Sequence, residues 1–146
     1  MSKTLMDGTG SPWVAIDVHP KKTLLLMANS GGLMATYNYM SNDRIDEKNV
    51  NTDDEITAIK YSPLGDYVTY GTKKGHLWIL DGNTLEPVKL TPFSYAKGSI
   101  RECLFSSCGE YLASSDTDRC VSVYNYNKPQ IQWELLGAPI SSFNLR

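Results

Sequence analysis

One segment occurs three times in this chain at almost constant spacing. The three copies cover residues 14–38, 57–81 and 101–125 and superpose without a gap. Between the first two copies, matching residues lie 43 positions apart: Pro20 with Pro63, Gly32 with Gly75, and Asn38 with Asp81. Between the second and third, they lie 44 positions apart: Gly65 with Gly109, Tyr67 with Tyr111, and Asp81 with Asn125. A repeated unit of this length buries its faces only against its neighbours, and this constrains the fold more than any other feature.

Each copy has the pattern of four short strands. In the second copy, residues 56–61 alternate apolar and polar side chains, which is the period of a half-buried strand. The first strands of the other two copies are predicted at residues 13–18 and 100–105. Proline and glycine then supply a turn at 62–66, and a hairpin tip follows at 72–75. A short outer strand is predicted at 84–89. A repeat of roughly 40–45 residues with this pattern is typical of a β-propeller blade of the WD type. Each copy ends in a degenerate WD pair: Tyr37-Asn38, Leu80-Asp81 and Tyr124-Asn125.

The predicted fold class is therefore all-β, as a partial WD40-type β-propeller. We expect about three four-stranded antiparallel blades plus the first strand of a fourth, since residues 140–146 have the pattern of a first strand. The predicted segments are a polar tail, three blades and an incomplete blade: residues 1–12, 13–51, 52–91, 92–137 and 138–146. Three blades are too few to close a ring of roughly 4–8. Two explanations stay open: the chain is part of a longer protein, or a second chain completes the ring.

Composition excludes several classes of partner. The 146 residues are 41% hydrophobic and 21% charged, with a net charge of −2, as in an ordinary folded protein. Basic residues are scattered, so we expect no nucleic-acid partner. No apolar run approaches the roughly 18–20 residues that span a bilayer, so we expect no membrane partner. Cys103, Cys108 and Cys120 lack metal-site spacing and indicate small hydrophobic residues in a reduced, cytosolic protein.

The sequence predicts no enzyme, no cofactor and no metal site. Asp116 and Asp118 form one carboxylate pair and residues 53–55 form an acidic run, but both lie in turns, where charged residues are usually solvated. Paired catalytic carboxylates need a pocket that separates their pKa values, and the innermost strands offer mostly Val, Ala, Ile, Lys and Ser. No phosphate-binding glycine loop, nucleophile elbow or HExxH motif is present. A catalytic propeller is the least favoured alternative.

The hairpins between the second and third strands differ from well-formed WD repeats. Asp118 occupies the position where these repeats place a structural aspartate that binds nearby backbone, whereas Lys74 and Gly31 occupy the matching positions. We therefore expect only a partial version of the WD hydrogen-bond network. His76 is interpreted as an ordinary hairpin residue.

Protein binding is predicted on one face of the molecule. In a propeller, the loops that join blades and the hairpins between the second and third strands lie on one face. An exposed outer strand offers a second way to bind a partner, which can add a strand of its own to the sheet edge. The candidate protein-binding residues are Asp53, Asp54, Lys73, Lys74, Asp116, Asp118 and Arg119.

Residues 56–126 resemble a particular WD-repeat region. The segment PFSYAKGSI at 92–100, between the second and third copies, is the most distinctive part. It resembles the WD-repeat region of a family of cilia- and flagella-associated proteins. The resemblance implies a non-catalytic scaffold in the cytoskeleton of the axoneme. The expected partners are proteins of the calmodulin- and spoke-associated complex, which anchors a radial spoke base to doublet microtubules. A WD-repeat adaptor of another cytosolic complex, in ubiquitin ligation or trafficking, is the alternative.

Overall fold

Only β-strands and turns form the part of the chain that the structure describes. The computed structural model describes residues 12–50, 53–88 and 96–125 and the backbone of 134–135 and 140–141. Over these residues the strands form three antiparallel sheets in chain order, and no helix could cross a membrane. The all-β prediction is confirmed for this part of the chain. Residues 1–11 of the predicted tail, 1–12, lie outside it.

The first sheet is a four-stranded meander with strand order β1-β2-β3-β4. Its strands are β1 (Trp13–Val18), β2 (Leu24–Asn29), β3 (Leu33–Asn38) and β4 (Asp43–Asn49). The outer strand β4 carries mostly polar residues and is exposed along almost its whole length. It forms because β3 offers a complete row of backbone partners, from Leu33 to Asn38.

The second sheet has three strands in the order β5-β6-β7. Its strands are β5 (Ile56–Tyr61), β6 (Tyr67–Thr72) and β7 (Leu77–Asp81). Among the described residues, the outer strand expected at 84–89 is an isolated bridge between Leu80 and Pro87. Its two bonds run from Asp81 N–H to Glu86 O at 2.9 Å and from Val88 N–H to Ile79 O at 2.8 Å. Pro87 has no N–H, but the neighbouring residues 86 and 88 make both bonds to β7, so proline is tolerated at this edge position. Residues 89–95 lie outside the described residues.

The third sheet begins with three strands that match those of the second. They are β8 (Ile100–Phe105), β9 (Tyr111–Asp116) and β10 (Cys120–Asn125), followed by β11 (Glu134–Leu135) and β12 (Ile140–Ser141). β11 and β12 both pair with β10, at different positions along its outer edge. The segment predicted to start a fourth blade therefore extends the third sheet at residues 140–141. That edge is available because β11 pairs only with Tyr124 and Asn125 of β10.

Equivalent hydrogen bonds recur in the three copies at identical sequence separations. In each copy, the first residue of the hairpin tip between the second and third strands donates its N–H to a carbonyl 18 residues earlier. The bonds are Ser30 to Pro12 at 3.0 Å, Lys73 to Glu55 at 2.8 Å, and Thr117 to Ser99 at 2.9 Å. The side-chain oxygens of Asn38 and Asp81 accept N–H groups two and three residues ahead, which explains the recurrent Asx at the WD-like pair. The predicted register between copies is correct at these positions.

The sheets pack on each other in chain order through two buried apolar clusters. Leu26, Ala28 and Met34 of the first sheet share a cluster with residues of the second sheet, among them Ile56, Ile59 and Tyr61. Leu77 and Ile79 of the second sheet share another with residues of the third, among them Cys103, Leu112 and Tyr124. The two contacts therefore use the same strands of successive copies.

Two hydrogen bonds connect the first strand of each sheet, its inner strand, to the inner strand of the neighbouring sheet. The carboxylate of Asp17 on β1 accepts the Tyr61 N–H of β5 at 2.8 Å. The hydroxyl of Thr57 on β5 donates to the Ile100 carbonyl of β8 at 2.6 Å. Burial, with a smaller contribution from Asp17, raises the pKa of Tyr61 to about 12.

His19 gives the contact between the first and second sheets a pH dependence. Its buried ring accepts the N–H groups of Lys21 and Lys22 at Nδ1, both at 3.0 Å, and packs against Tyr61. Burial, followed by the charge of Lys22, lowers the pKa of His19 below its ordinary 6.5. Stability from the neutral ring is thus complete above pH 6.5 and declines as the pH falls toward the folded-state pKa.

Replacing His19 by serine should make the free energy of unfolding depend less on pH below pH 6.5. Serine is the residue at the matching positions, Ser62 and Ser106. We expect the free energy of unfolding of the native chain to fall between pH 6.5 and 5 more steeply than that of His19→Ser, as measured by urea unfolding at several pH values. Equal slopes for the native chain and His19→Ser would contradict the assignment.

Candidate functional site

The seven predicted binding residues fall into two groups that differ in burial. Asp54 and Asp116 are only 7% and 4% exposed. The exposed members of the set are Asp53, Lys73, Lys74, Asp118 and Arg119. The buried carboxylates therefore hold the local backbone, whereas the other five residues present charge to solvent.

Asp116 binds four backbone N–H groups. Oδ1 accepts from Asp118 and Cys120, both at 2.9 Å, and Oδ2 accepts from Lys97 and Gly98 at 2.8 and 3.2 Å. Burial alone would raise the pKa of Asp116, but the four donors outweigh burial and hold the pKa below its ordinary 3.8. This carboxylate joins the loop that enters the third sheet to the hairpin above it.

The structural aspartate predicted at position 118 is thus found at position 116. Asp116 is the last residue of β9, where strand alternation turns its side chain into the protein, while Asp118 is exposed at the tip. The matching residues Asn29 and Thr72 make the same bond, since each side-chain oxygen accepts an N–H four residues ahead. The position is therefore polar in all three copies.

Asp54 joins the loop before the second sheet to the hairpin of that sheet. Here the carboxylate belongs to the loop and the N–H to the hairpin, the reverse of the arrangement at Asp116. Its Oδ1 accepts the Lys74 N–H at 3.0 Å, and its Oδ2 lies 3.2 Å from Nδ1 of His76. The Oδ2 contact is close but is not directed as a hydrogen bond. His76, interpreted from sequence as an ordinary hairpin residue, thus contacts a buried carboxylate.

The hairpin tips of the second and third sheets both contact the 96–99 loop, so the three segments form one surface. A Cβ placed on Gly75 would lie 2.8 Å from the Gly98 carbonyl, and one placed on Gly98 would lie 2.4 Å from the Thr117 hydroxyl. We call this continuous surface the tip face, formed by residues 53–55, 73–75, 96–99 and 117–119. The structure thus brings all seven predicted residues onto the tip face or directly beneath it.

The tip face offers ionic contacts on a fixed backbone. Lysine, arginine and carboxylate side chains lie exposed within two adjoining tips. Among the residues that the structure describes, no group of three or more His, Cys, Asp or Glu side chains could hold a metal ion. Both oxygens of Asp116 and Oδ1 of Asp54 accept backbone N–H groups. The exposed side chains therefore offer charge pairing and hydrogen bonding at the surface.

The three cysteines are free thiols with different environments. Cys103 and Cys120 are buried, as small hydrophobic residues in strands would be, and burial raises the pKa of Cys103 to about 12. Cys108 is exposed in its turn, where the Ser106 hydroxyl and then the Glu110 N–H lower its pKa.

Arg119 holds a strained backbone conformation at the third tip. Its φ is 66°, whereas the matching residues Gly32 and Gly75 are glycines with φ of 91° and 87°. A side chain in this left-handed region costs roughly 1 kcal/mol. We therefore expect Arg119→Gly to raise the free energy of unfolding by about 1 kcal/mol, measured by urea unfolding. Arg101→Gly on the neighbouring strand should instead destabilise, and a loss in both variants would contradict the strain.

Sequence reasoning missed the backbone of the 96–99 loop and the role of His76. The side chains of this loop do not indicate a function, because the loop contributes two backbone N–H groups that donate to Asp116. Aligning the three copies could have identified the polar position shared by Asn29, Thr72 and Asp116. No comparable signal exists for His76, since its contact depends on Asp54 in a separate loop.

Comparison with known proteins links the chain to one named protein in three organisms. No family model matches the chain. The protein named cilia- and flagella-associated protein 251 is 27% identical to it in Mus musculus and 29% in Pongo abelii, each over 84% of this chain. The protein of that name in Tetrahymena thermophila is 24% identical over 92% of this chain. The matched regions are 10%, 11% and 15% of those proteins, so the chain spans about a tenth of the mouse and orangutan relatives.

Proposed function

We propose, on the premise of its likeness to cilia- and flagella-associated protein 251, that this chain is a WD-type β-propeller segment that works as a non-catalytic scaffold. Its place would be a ciliary or flagellar assembly, at a radial spoke base of the axoneme. Three antiparallel sheets packed in chain order, with matching hydrogen bonds, are compatible with propeller blades.

One observation carries the scaffold role: the tip face combines exposed charge with an immobilised backbone. Asp54 and Asp116 fix the loops from below, and each tip is closed by a bond that spans 18 residues. Lys73, Lys74 and Arg119 are exposed above this framework. A rigid surface loses little conformational entropy when it binds, so it favours recognition of a partner protein.

The same carboxylates support the non-catalytic part of the proposal. An acid–base pair needs carboxyl groups that face a substrate and can exchange protons. Asp116 instead has both oxygens occupied by backbone donors. Asp54 and Asp116 therefore act as structural groups.

The ciliary role can be tested by retention on the axoneme. A tagged form of the chain would be expressed in flagellated cells, and the axonemes would be extracted with detergent. We expect the tag to remain with the axoneme and to be released by salt, because exposed charge pairs are screened. A tag found only in the detergent-soluble cytosol would contradict the ciliary role and favour a WD adaptor elsewhere in the cell.

The binding surface can be tested with two matched lysine pairs. Lys73→Glu/Lys74→Glu reverses charge on the tip face, and Lys21→Glu/Lys22→Glu does so at the β1–β2 turn. Both pairs are exposed, and the β1–β2 turn lies at the opposite end of its sheet from the strand-two to strand-three hairpin. We expect the first variant to lower axonemal affinity about tenfold, or about 1.4 kcal/mol, and the second to leave it unchanged. The reverse order would place the partner on the opposite face.

A further inference from the structure

A carboxylate and an imidazole meet at the tip face of the second sheet. Asp54 belongs to the loop before β5, and His76 lies between the hairpin tip and β7. Oδ2 of Asp54 is 3.2 Å from Nδ1 of His76. The Asp54 side chain is 4% exposed and the His76 side chain is 36% exposed. Solvent can therefore exchange protons with the imidazole but hardly reaches the carboxylate.

One oxygen of Asp54 lacks the partner that a buried carboxylate needs. Oδ1 accepts the Lys74 N–H at 3.0 Å, whereas Oδ2 accepts no hydrogen bond from any residue that the structure describes. A buried carboxylate oxygen without a donor is costly, because the group has lost its hydration. An imidazolium at the position of His76 would supply a charged N–H donor next to this oxygen.

The pair of Asp54 and His76 occurs only in the second copy. The matching residues in the other two copies include no carboxylate and no imidazole: Ser11, Leu33, Gly98 and Cys120. In the third copy, Asp116 of the hairpin binds the loop directly through Oδ2. The second copy has Thr72 at that position, and the Thr72 hydroxyl accepts the His76 N–H within the hairpin. The second copy therefore connects its loop and hairpin through a different, titratable pair.

We propose that Asp54 and His76 form a pH-dependent latch, which holds the loop of residues 53–55 to the second hairpin more firmly when His76 is protonated. Histidine is the side chain whose charge ordinarily changes between about pH 5 and 8. Protonation turns the close contact into a charge-assisted hydrogen bond and gives Oδ2 its donor. The latch therefore tightens as the pH falls from about 8 to about 6 and loosens as the pH rises again.

Charged groups on the surrounding elements also act on the imidazole. They are Asp53, Asp54 and Glu55 in the preceding loop, Lys73 and Lys74 in the hairpin, and Lys97 in the 96–99 loop. The three lysines oppose protonation, but they are exposed, so water and salt screen their charge. Asp54 is in contact with the imidazole and is buried, so its charge is screened least. The balance of these charges favours the protonated form.

The latch determines how firmly the second hairpin holds two lysines of the tip face. The Lys73 N–H donates to the Glu55 carbonyl and the Lys74 N–H donates to Asp54, so both backbone positions depend on the loop. When the latch loosens, loop and hairpin separate more often and these bonds open. The tip face is thus more rigid in mild acid and more mobile in mild base.

Amide hydrogen exchange, measured by NMR on the full chain, tests the latch. The Lys73 N–H is the reporter, and the Thr117 N–H is the matched control, because Thr117 makes the equivalent bond to Ser99 in the third copy. Protection factors correct for the intrinsic effect of pH on exchange and are compared at pH 6 and pH 8. We expect the Lys73 value to be about fivefold higher at pH 6, the upper end for a partly exposed ion pair. The Thr117 value should change less than about twofold.

Two variants separate the imidazole from the carboxylate. His76→Gln keeps an N–H donor that does not titrate, and Asp54→Asn keeps an oxygen acceptor for the Lys74 N–H without the charge. Neither variant should show the rise in Lys73 protection. Both are made in the His19→Ser chain, which leaves His76 as the only histidine. Unchanged Thr117 protection verifies that the rest of the fold is intact.

Three results would overturn the latch: an equal rise at Lys73 and Thr117, a rise that persists in either variant, or Lys73 protection that falls toward pH 6. The first and third need only the native chain, so the proposal can fail even if a variant does not fold. No axonemal partner takes part in this measurement. Its result is therefore independent of the retention test for the scaffold role.

Discussion

Replacing Ile100 by alanine is expected to lower the free energy of unfolding by about 3 kcal/mol. Ile100 is 1% exposed and fills the contact between the second and third sheets. Its truncation removes buried apolar surface and leaves a cavity that the two sheets cannot close without moving apart. Urea unfolding followed by circular dichroism measures the loss.

The control for Ile100 is an isoleucine that packs against no neighbouring sheet. Ile45 is 50% exposed on β4, so Ile45→Ala should change stability by less than about 0.5 kcal/mol. Gly71→Ala should also destabilise, by about 1–3 kcal/mol, because its new methyl group would meet the Ile100 side chain. Gly71→Ala combined with Ile100→Ala should then cost clearly less than the sum of the two. Additive losses would mean that the two residues do not touch and would contradict the docking of these sheets.

Asp116→Ala is expected to cost about 3 kcal/mol of unfolding free energy, the value of one or two charge-assisted hydrogen bonds. Four N–H groups lose their acceptor, but those of Lys97 and Asp118 belong to exposed residues and can bind water instead. Chemical unfolding at pH 7 measures the loss. Asp118→Ala, two residues away and exposed, should change stability by less than about 0.5 kcal/mol, and equal losses in the two variants would contradict the assignment.

The loss of unfolding free energy in Asp116→Ala should also depend on pH. Its folded-state pKa lies below the 3.8 of the unfolded chain, so its contribution is complete above pH 3.8 and is lost as the pH falls through the folded-state value. The difference in unfolding free energy between the native chain and Asp116→Ala should therefore narrow below about pH 4. A constant difference down to pH 2 would show that the carboxylate charge has no part in the effect.

The spacing of the copies predicted most of the inner strands and their equivalence. Residues 13–18, 56–61 and 100–105 were expected as first strands, and β1, β5 and β8 have these bounds. The prediction succeeds because alternation, prolines and glycines are local signals that recur at a fixed offset. The propeller arrangement of the sheets and the binding role of the seven residues remain predictions.

The outer strands were harder to predict for a physical reason. An edge strand such as β4 needs only backbone partners, so its residues show no alternation of apolar and polar side chains. At 84–89, the described pairing is one bridge because the chain from Asp81 to Leu85 forms a tight turn, in which Leu85 has a φ of 60°. Hydrophobic pattern does not reveal this turn. Residues 140–141 lie on the third sheet because an available edge competes with a separate fourth sheet for the same pattern.

The structural aspartate of the third hairpin was predicted in the correct hairpin but on the wrong side chain. Asp116 and Asp118 are separated by a single threonine, and composition cannot tell them apart. Their roles depend on where β9 ends, because the last strand residue points inward and the tip residue points outward. The contact of His76 with Asp54 joins residues from separate loops, so it needed the structure.

The 18-residue bonds that close each copy have a consequence for how the chain acquires its fold. Because they link residues close together in sequence, every sheet can assemble with little loop-closure entropy before it meets a neighbour. Folding could then start at any of the three units and spread along the chain, as in other linear repeat proteins. Unfolding would begin at the outermost units and move inward, so the middle sheet should protect its amides from hydrogen exchange the longest.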